Sequence, residues 1–403
     1  MKPALFHYMR KPAIEPRAGC PFADTMVLNP ALVRDPVAEN TLHMLFRSTG
    51  PWPQKRLPGK LDPYPIFLGY ARSDDLGRTW EADFSRPALA PTLEYELEKL
   101  QIRDVEGQSV VNYANAQIED PRIFPVEGQW YVSAACRLFP GGAYWTGERP
   151  ITDYVPAWAA TEDNPVGLVA TRNATTSVLF RLDLSRLIRR DYGHAFSYVG
   201  PLTDGSICEN RDVYLFPERM EVAGKLQYVL IHRPEQPDRF AVGKGIEKPA
   251  MFMAAAERLK DFVTGKAEHT LMATGIFDWE SSRIGGSWPP LRISPREWLV
   301  SYHGRNETLG YSQSFMIMQD RENDFPKIMH RCPERLMVPA RKWELPDKFG
   351  CPCLFTTGGV LVGDTLIMGY GAADQKAGIA RVNLHDLVAY VRQFDAQGRT
   401  SRE

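Results

Sequence analysis

The sequence has almost no net charge and no long apolar run. Its 48 Lys and Arg residues balance 49 Asp and Glu residues, which gives a net charge of −1. There is therefore no bulk electrostatic attraction to nucleic acid or to an anionic membrane. No stretch of about 18 consecutive apolar residues is present, which excludes a membrane-spanning helix. Any cationic binding site must be local.

Signals for export and for metal binding are also missing. The first residues, MKPALFHYMRKPAIEPRAG, contain no apolar core of a secretion signal, although a chain whose signal had been removed would look the same. The six cysteines form no Cys-x-x-Cys pair, and the eight histidines are far apart. We expect a cytoplasmic protein with reduced thiols, no metal, no organic cofactor and no nucleic-acid or membrane partner. A Cys351–Cys353 disulfide is the alternative for that pair.

Short β-rich runs separated by turns are abundant. One hairpin pattern occurs five times: a polar residue or Pro, a β-rich run, a turn, and a second run that ends in a polar residue. The copies cover residues 29–47, 119–137, 211–233, 289–303 and 352–374. Their starts are about 60 to 90 residues apart, which is room for the four strands of a propeller blade. The sequence predicts an all-β, five-bladed β-propeller that forms a single catalytic domain over residues 1–403.

Two short segments have local structure of their own. SDDLGRTW, residues 73–80, matches a turn found between the outer strands of many propellers, with Asp and Gly setting the turn and Trp packing beneath it. In LHDLVAYV, Leu384, Leu387, Val388 and Val391 fall on one face of a helix. We expect a structural turn and a short C-terminal helix.

The hairpin geometry predicts where the polar residues meet. A hairpin returns the chain to its starting end, so both polar ends of each copy lie at one mouth. Radial assembly brings the five mouths to one central funnel. The side chains expected there are Asn29, Arg47, Glu119, Asp120, Arg122, Arg137, Arg211, Asp212, His232, Arg233, Arg283, His303, Tyr311 and Asp374.

The arginines of this set indicate an anionic ligand. The planar guanidinium fork matches phosphate or carboxylate, and crowded arginines repel one another unless an anion lies between them. The alternative is that these arginines pair with neighbouring Asp and Glu side chains as struts between blades.

Asp120 is the candidate for acid chemistry. Glycosidic cleavage needs a proton donor for the leaving oxygen, and Glu119 and Asp120 form a carboxyl pair at the mouth of the second hairpin. An adjacent Glu-Asp pair is a weak motif by itself. The alternative is that Asp120 caps the turn while Glu119 faces solvent.

Aromatic residues are concentrated after the second hairpin: Tyr144, Trp145, Tyr154 and Trp158. Such side chains beside a polar funnel can stack on sugar rings. A loop packed on its own blade would have the same composition.

As a set, these motifs resemble glycoside hydrolase family 130, the five-bladed propeller mannoside phosphorylases and mannosidases. The matching stretches occur in the family's order from about residue 24 to about residue 380. They are NPAL…LHMLFR, IEDPRI…GQWYVSAA, NRDVYLFPERM…GKLQYVLIHRP, RIGGSWPPLRISPREWLVSYHG, LGYSQSFMIMQD and CPCLFTTGGVLVGDTLIMGYGAAD.

The resemblance implies roles for individual residues. Asp120 would be the general acid, acting through the 3-hydroxyl of the mannose being transferred. The implied phosphate-binding residues are Arg211, Arg233, Arg283 and His303, with Tyr311 close by. The implied or expected substrate-binding residues are Asn29, Arg47, Glu119, Asp212, Phe355 and Asp374, of which Phe355 would be an aromatic wall.

The sequence departs from the family pattern in three respects. Arg283 stands where many members have Lys, and the fork changes the geometry of anion binding. Asp212 stands where several phosphorylases have Asn, and an extra carboxylate there would weaken anion binding. Long insertions near residues 50–65 and 140–165 would reshape the acceptor side of the site.

We therefore expect an inverting phosphorylase that cleaves β-mannosides with inorganic phosphate as co-substrate, giving α-mannose 1-phosphate. The fixed cations would stabilise the attacking anion without a metal. The nearest alternative is an inverting β-mannosidase, with Asp212, Glu209 or Glu280 as the base that activates water.

Two further alternatives belong to other classes. One is a carbohydrate-binding propeller without activity. The other, a sialidase, is disfavoured because its characteristic turn has one clear copy in this sequence. The linkage, the acceptor and the oligomeric state stay open, although an uncovered propeller face and Pro-rich insertions are compatible with a homo-oligomer.

Overall fold

The computed structural model describes residues 5–51, 65–94, 96–138, 165–171, 174–241, 245–346 and 352–400. These residues form five antiparallel sheets arranged as the blades of a β-propeller, which confirms the predicted fold class. Among them, no helix is long and apolar enough to cross a membrane.

The first two blades follow a short N-terminal strand, β1 (His7–Tyr8). From the axis outward, blade 1 contains β2 (Met26–Arg34), β3 (Leu42–Thr49), β4 (Phe67–Ser73) and β5 (Glu81–Asp83). A separate two-stranded ribbon consists of β6 (Gln101–Arg103) and β7 (Ser109–Val111). Blade 2 contains β8 (Gln117–Val126), β9 (Gln129–Arg137), β10 (Thr176–Leu182) and β11 (Phe196–Pro201), with helices α1 (Pro165–Thr171), α2 (Leu184–Ile188) and α3 (Tyr192–Ala195) around β10.

The next two blades each have five strands. Blade 3 contains β12 (Asn210–Leu215), β13 (Met220–Val222), β14 (Lys225–Pro234), β15 (Ala250–Ala256) and β16 (Glu268–Thr274). Blade 4 contains β17 (Arg283–Gly286), β18 (Leu291–Ser294), β19 (Glu297–Asn306), β20 (Gly310–Arg321) and β21 (Asp324–Arg331). Single 3₁₀ turns cover Pro237–Arg239, Leu259–Val263, Asp278–Glu280 and Lys342–Glu344.

Blade 5 closes the ring with both ends of the chain. It contains β22 (Leu354–Val362), β23 (Thr365–Ala372) and β24 (Lys376–Asn383), and β1 is its outermost strand, with His7 opposite Arg381. The sequence repeats did not reveal this closure, because β1 has only two residues. The predicted C-terminal helix follows as α4 (Leu384–Val391), capped by the side chain of Asn383, which accepts from the Asp386 amide.

The fourth hairpin begins earlier than the predicted residue 289. Its innermost strand is β17, in which Gly285 lies opposite His303, and β18 resumes the pairing after a break. Pro289 and Pro290 occupy that break, since Pro has no N–H to donate to a strand ladder. Arg283 is consequently part of the hairpin rather than a flanking residue.

Apolar residues of the hairpins pack between neighbouring blades. Phe216 of blade 3 meets Trp298 of blade 4 edge to face, with ring centroids 5.3 Å apart. Other buried clusters join blades 1 and 2, blades 4 and 5, and blades 5 and 1. Because this packing occupies the blade faces, the polar ends of the hairpins are left at the axis.

The predicted turn at residues 73–80 connects β4 to β5. One carboxylate oxygen of Asp75 accepts hydrogen bonds from the amides of Arg78 and Thr79, and Gly77 has φ 81°. The indole of Trp80 donates to the Gly77 carbonyl. This segment is structural, as expected.

The five described cysteines, Cys20, Cys136, Cys208, Cys332 and Cys353, are buried. Cys351 lies outside the described residues.

Candidate active site

The innermost strands of the five blades surround a cavity of about 310 Å³. Every blade contributes to its wall. The lining residues are Met26, Leu28, Asn29, Arg47, Asp120, Arg211, Asp212, Arg233, Arg283, His303, Tyr311, Cys353, Phe355 and Asp374. Each residue of the predicted catalytic, phosphate-binding and substrate-binding sets is therefore in this wall, with the single exception of Glu119.

Three blades present a polar side chain from the same kind of bulge. Asn29, Asp120 and Asp212 have φ of 49°, 56° and 57°, and the strand pairing shifts register at each of them. Asn and Asp adopt left-handed backbone more readily than other residues with a side chain. A bulge bends its strand and re-aims a side chain, which here turns all three toward the cavity.

Asp120 is held by donors from blade 1. Its Oδ1 accepts from Asn29 Nδ2 at 2.7 Å and from Arg47 Nη1 at 3.2 Å. Its backbone carbonyl accepts from Arg122 Nη1 at 3.0 Å. None of these contacts uses Oδ2, so the carboxyl group is fixed through one oxygen in the cavity wall.

Glu119 lies behind the wall. Its Oε1 accepts from Arg211 Nη1 at 2.8 Å, and its Oε2 is 3.0 Å from Arg47 Nη1. The residue is only 4% exposed, which contradicts the alternative in which Glu119 faces solvent. Its two ion pairs hold Arg47 and Arg211, which line the cavity together with Asp120.

The cationic side of the cavity comes from blades 3 and 4. Arg211 and Arg233 are opposite each other across the β12–β14 hairpin. Arg283 Nη1 donates to the Tyr311 hydroxyl at 2.6 Å, and the rings of His303 and Tyr311 are 5.8 Å apart.

Carboxylates already separate the arginines. Arg211 pairs with Glu119 and Glu209, at 2.8 and 2.9 Å. Arg233 pairs with Asp212 and Glu235, at 2.6 and 2.5 Å. Both predicted arrangements are thus present together: the arginines converge, and they also act as struts. Crowding of positive charge alone does not require a bound anion.

Arg283 has the weakest contact with a carboxylate among these arginines. Among the described residues, its nearest carboxylate oxygen belongs to Glu235 at 3.8 Å, and its side chain is 33% exposed. A guanidinium in this position can turn one edge of its fork toward a ligand.

Arg122 lies under the cavity rather than in its wall. It is 1% exposed. Its Nε donates to the Ser287 carbonyl at 2.8 Å, and its Nη2 donates to Asp212 Oδ1 at 2.9 Å. Together with the bond to the Asp120 carbonyl, these contacts tie blades 2, 3 and 4 to one buried side chain.

The protein environment sets the charges of Asp212 and His303. Burial raises the pKa of Asp212, but the charge of Arg233 and the other cations around it outweigh burial and hold that pKa well below its usual range. Burial lowers the pKa of His303 to about 3, with the attraction of Asp212 opposed by Arg233, Arg122 and Arg283. Near neutral pH the pair consists of a carboxylate and a neutral imidazole.

Blade 5 contributes a carboxyl group and an aromatic wall. Burial raises the pKa of Asp374, and the nearby Arg47 partly opposes this rise. The ring of Phe355 meets His303 edge to face, with centroids 4.6 Å apart. An apolar ring beside these polar groups offers a surface for the face of a sugar.

The residues expected at the mouth and the residues that line the cavity are not quite the same. His232 and Arg137 were expected at the mouth but do not line the cavity: His232 hydrogen bonds to Asn210 and His269, and Arg137 lies 3.9 Å from Glu209. Glu235, which pairs with Arg233, was not predicted. The one feature of the sequence that could have indicated it is that Glu235 follows Arg233 by two residues. The lining residues Met26, Leu28 and Cys353 have no chemical signature that would single them out.

Some predictions fall outside the described residues. These are the aromatic residues Tyr144, Trp145, Tyr154 and Trp158, and most of the insertions near residues 50–65 and 140–165. Within the described part of the chain, no group of three or more His, Cys, Asp or Glu side chains is arranged to hold a metal ion.

Comparison with known proteins gives matches over most of the chain. A family model described as β-1,4-mannooligosaccharide phosphorylase, of glycoside hydrolase family 130, matches residues 205–393. A 1,2-β-oligomannan phosphorylase from Thermoanaerobacter sp. (strain X514) is 24% identical over 377 residues, which is 94% of this chain and 96% of the relative. A β-1,2-mannobiose phosphorylase from Listeria innocua serovar 6a is 31% identical over 166 residues, or 41% of this chain and 42% of the relative.

The fold has a counterpart among solved structures. The structure of β-1,2-mannobiose phosphorylase from Listeria innocua in complex with β-1,2-mannobiose superimposes with a TM-score of 0.64 and 18% identity. The match covers 96% of this chain and 99% of that chain. At this identity the match establishes the propeller fold.

Proposed function

Because the chain belongs to glycoside hydrolase family 130, we propose that it is an inverting phosphorylase that cleaves β-mannosides with inorganic phosphate. The products are α-mannose 1-phosphate and a shortened acceptor. One observation carries this proposal. A single small cavity holds Asp120 on one blade and the group Arg233, Arg283, His303 and Tyr311 on two others.

Asp120 is the proposed proton donor. The bond between the anomeric carbon and the glycosidic oxygen breaks, and the proton of Asp120 passes to that oxygen through the 3-hydroxyl of the mannose. Asn29 and Arg47 fix Oδ1 of Asp120, which leaves Oδ2 to face the sugar. Pre-set orientation of this kind lowers the cost of reaching the reactive geometry.

Phosphate is the proposed nucleophile. It forms its bond to the anomeric carbon from the face opposite Asp120, which inverts the configuration. Arg283 and Arg233 would bind its oxygens, since charge-assisted hydrogen bonds from a guanidinium suit phosphate. His303 Nδ1 is buried and has no hydrogen-bond partner among the described residues, so a bound oxyanion would give this nitrogen a partner.

Hydrolysis by water is the second candidate, and the paired arginines favour it. Because Arg211 and Arg233 already have two carboxylates each, the site does not depend on an anionic ligand for charge balance. A water-activating base is harder to find. Glu280 is fully buried and bound to Arg331 by both oxygens at 2.7 Å, and it does not line the cavity.

The two other proposed bases are weak. Arg233 and the other nearby cations hold the pKa of Asp212 far below neutral. Burial raises the pKa of Glu209, but Arg211 and Arg137 lower it to about 2. A general base works best with a pKa near the working pH. Phosphate needs no such base, because it arrives as an anion, and this difference supports phosphorolysis.

Phosphate dependence decides between the two reactions. The protein is incubated with β-1,2-, β-1,3- and β-1,4-mannobiose in phosphate-free buffer and then with added phosphate, and products are followed by ³¹P NMR and sugar analysis. We expect α-mannose 1-phosphate from one of these disaccharides and negligible cleavage without phosphate. Release of mannose at full rate in phosphate-free buffer would exclude the phosphorylase.

A further inference from the structure

Within the part of the chain that the structure describes, one carboxylate on the cationic side of the cavity reaches the ligand space directly. Glu119, Glu209, Asp212 and Glu235 all pair with Arg211 or Arg233. Of these four, only Asp212 lines the cavity. An anion bound among Arg233, Arg283 and His303 would therefore meet the carboxylate of Asp212.

Asp212 has acceptor capacity left after its own contacts. Its Oδ1 accepts from Arg122 Nη2 at 2.9 Å, and its Oδ2 accepts from Arg233 Nε at 2.6 Å. The imidazole Nε2 of His303 is 3.6 Å from Oδ2, which is too far for a hydrogen bond. An ionised carboxylate can accept about four hydrogen bonds, so lone pairs remain for a donor on the ligand.

The carboxylate has no proton to offer. The cations around Asp212 outweigh its burial and keep its pKa well below the usual value, and an ionised carboxylate is an acceptor only. Close packing keeps it in this position: a Cβ at Gly285 would lie 2.4 Å from Asp212 Oδ2. The ligand oxygen next to Asp212 must therefore carry a hydrogen.

We infer that the anion site selects oxyanions that carry a proton, phosphate and arsenate, and excludes sulfate, through the Asp212 carboxylate. This inference rests on the proposed use of phosphate. Near neutral pH phosphate and arsenate keep at least one O–H group, which can donate to Asp212. Sulfate is fully ionised, so one of its oxygens would face the carboxylate without a hydrogen between them. The Asp212 carboxylate thus discriminates between anions, although its negative charge also weakens the binding of any anion.

The expected discrimination is large. A site built to accept a hydrogen bond from a ligand O–H rejects an analogue lacking it, because the site's buried polar group loses its partner. We expect sulfate to bind at least about 100-fold more weakly than phosphate. Arsenate should bind within about 10-fold of phosphate, since it has the same shape and protonation.

The first test uses the wild-type protein. Formation of mannose 1-phosphate from the cleaved mannobiose is measured at phosphate concentrations below KM, with added sodium arsenate or sodium sulfate and with sodium chloride keeping ionic strength constant. Competitive inhibition by arsenate and its absence with sulfate support the inference. Comparable inhibition by both anions overturns it and leaves the phosphorylase intact.

The second test changes the carboxylate. Asp212→Asn should lower the ratio of the sulfate inhibition constant to the phosphate KM by at least about 10-fold, because the amide can donate to an unprotonated oxygen. Glu209→Gln is the matched control: it also removes a carboxylate from an arginine pair, but Glu209 does not line the cavity, so the ratio should stay high. An unchanged ratio in a folded Asp212→Asn protein contradicts the role of Asp212. If Asp212→Asn does not fold, the wild-type anion comparison decides alone.

Failure of the proposed function gives a different result. In that case mannobiose is cleaved to mannose without phosphate, and none of the three anions changes the rate. That result overturns the inference together with the proposed function, and it differs from sulfate inhibition of a phosphate-dependent enzyme.

Discussion

The side-chain amide of Asn29 donates a 2.7 Å hydrogen bond to Oδ1 of Asp120, from the bulge of one blade to the bulge of the next. The two residues are 91 positions apart in the chain. This contact orients the proposed acid, and it exists because both residues adopt left-handed backbone at equivalent places in two blades.

Replacing Asp120 tests the proton donor. Asp120→Asn keeps the size and the hydrogen-bonding contacts of the side chain but cannot donate a carboxyl proton. We expect turnover to fall by about 10²- to 10⁴-fold, while the dissociation constant for the mannoside changes little. Steady-state rates and calorimetric binding measure the two quantities. Turnover above a tenth of wild type would exclude this role, whereas a binding module would show sugar affinity without any turnover in the wild type.

Removing the amide tests the orientation of Asp120. Asn29→Gly accepts φ 49° without strain but loses the bond to Oδ1, so we expect kcat to fall by about 10- to 100-fold with little change in stability. Ala223→Gly is the control, because Ala223 also has φ 49° and lies in the β13–β14 turn outside the cavity. Equal kcat values for the two variants would show that the hydrogen bond from Asn29 to Asp120 does not contribute to turnover.

Arg283 is the predicted main contact for phosphate. Arg283→Met removes the guanidinium that has the weakest contact with a carboxylate. The KM for phosphate should rise by about 10- to 100-fold, which corresponds to the loss of one charge-assisted hydrogen bond. The KM for the mannoside should stay within about 3-fold, because Arg283 lies on the phosphate side of the proposed site. Arg283→Lys should be intermediate. Arg305→Met, on the facing strand and paired with Glu307, should leave the phosphate KM unchanged.

The buried Arg122 should be essential for stability. Arg122→Lys cannot bond to the Ser287 carbonyl, the Asp120 carbonyl and Asp212 at once. Breaking a buried ion pair of this kind costs about 3 to 5 kcal/mol of unfolding free energy. Arg399→Lys, at an exposed pair with Asp395, should cost less than about 1 kcal/mol. Urea unfolding of the variants measures both, and similar losses would contradict the strut role.

The neutral state of His303 predicts a pH dependence of stability. The unfolded chain takes up a proton near the ordinary pKa of 6.5, whereas folded His303 does so only near pH 3. Above pH 6.5 His303 is neutral in both the folded and the unfolded chain, so it costs no stability. Below pH 6.5 only the unfolded chain takes up the proton, so the free energy of unfolding falls by at most about 1.4 kcal/mol per pH unit. His303→Gln lacks this loss, so wild type should lose more unfolding free energy than the variant between pH 6.5 and 4. Parallel curves would contradict a depressed pKa.

Much of the architecture follows from local sequence signals. Alternating β-rich runs and turns at regular spacing predicted five hairpins, and the apolar face of 384–391 predicted α4 with the observed bounds. The turn at 73–80 is likewise fixed by neighbours in the chain, since Asp75 bonds to the amides three and four residues on. The start of the fourth hairpin was misjudged because two prolines interrupt its first strand.

The amino-acid pattern alone predicted most of the residues that gather at the axis, because hairpin geometry returns both polar ends to one mouth and five repeats close a ring, but it wrongly included His232 and Arg137. It did not determine what each polar residue does there. Only the tertiary structure put Glu119 behind the wall, Arg122 under the floor and Asp212 beside Arg233. The physical reason is that these pairings join residues from different blades or depend on bulges, and the charge of each group is set by those partners and by burial rather than by its neighbours in sequence.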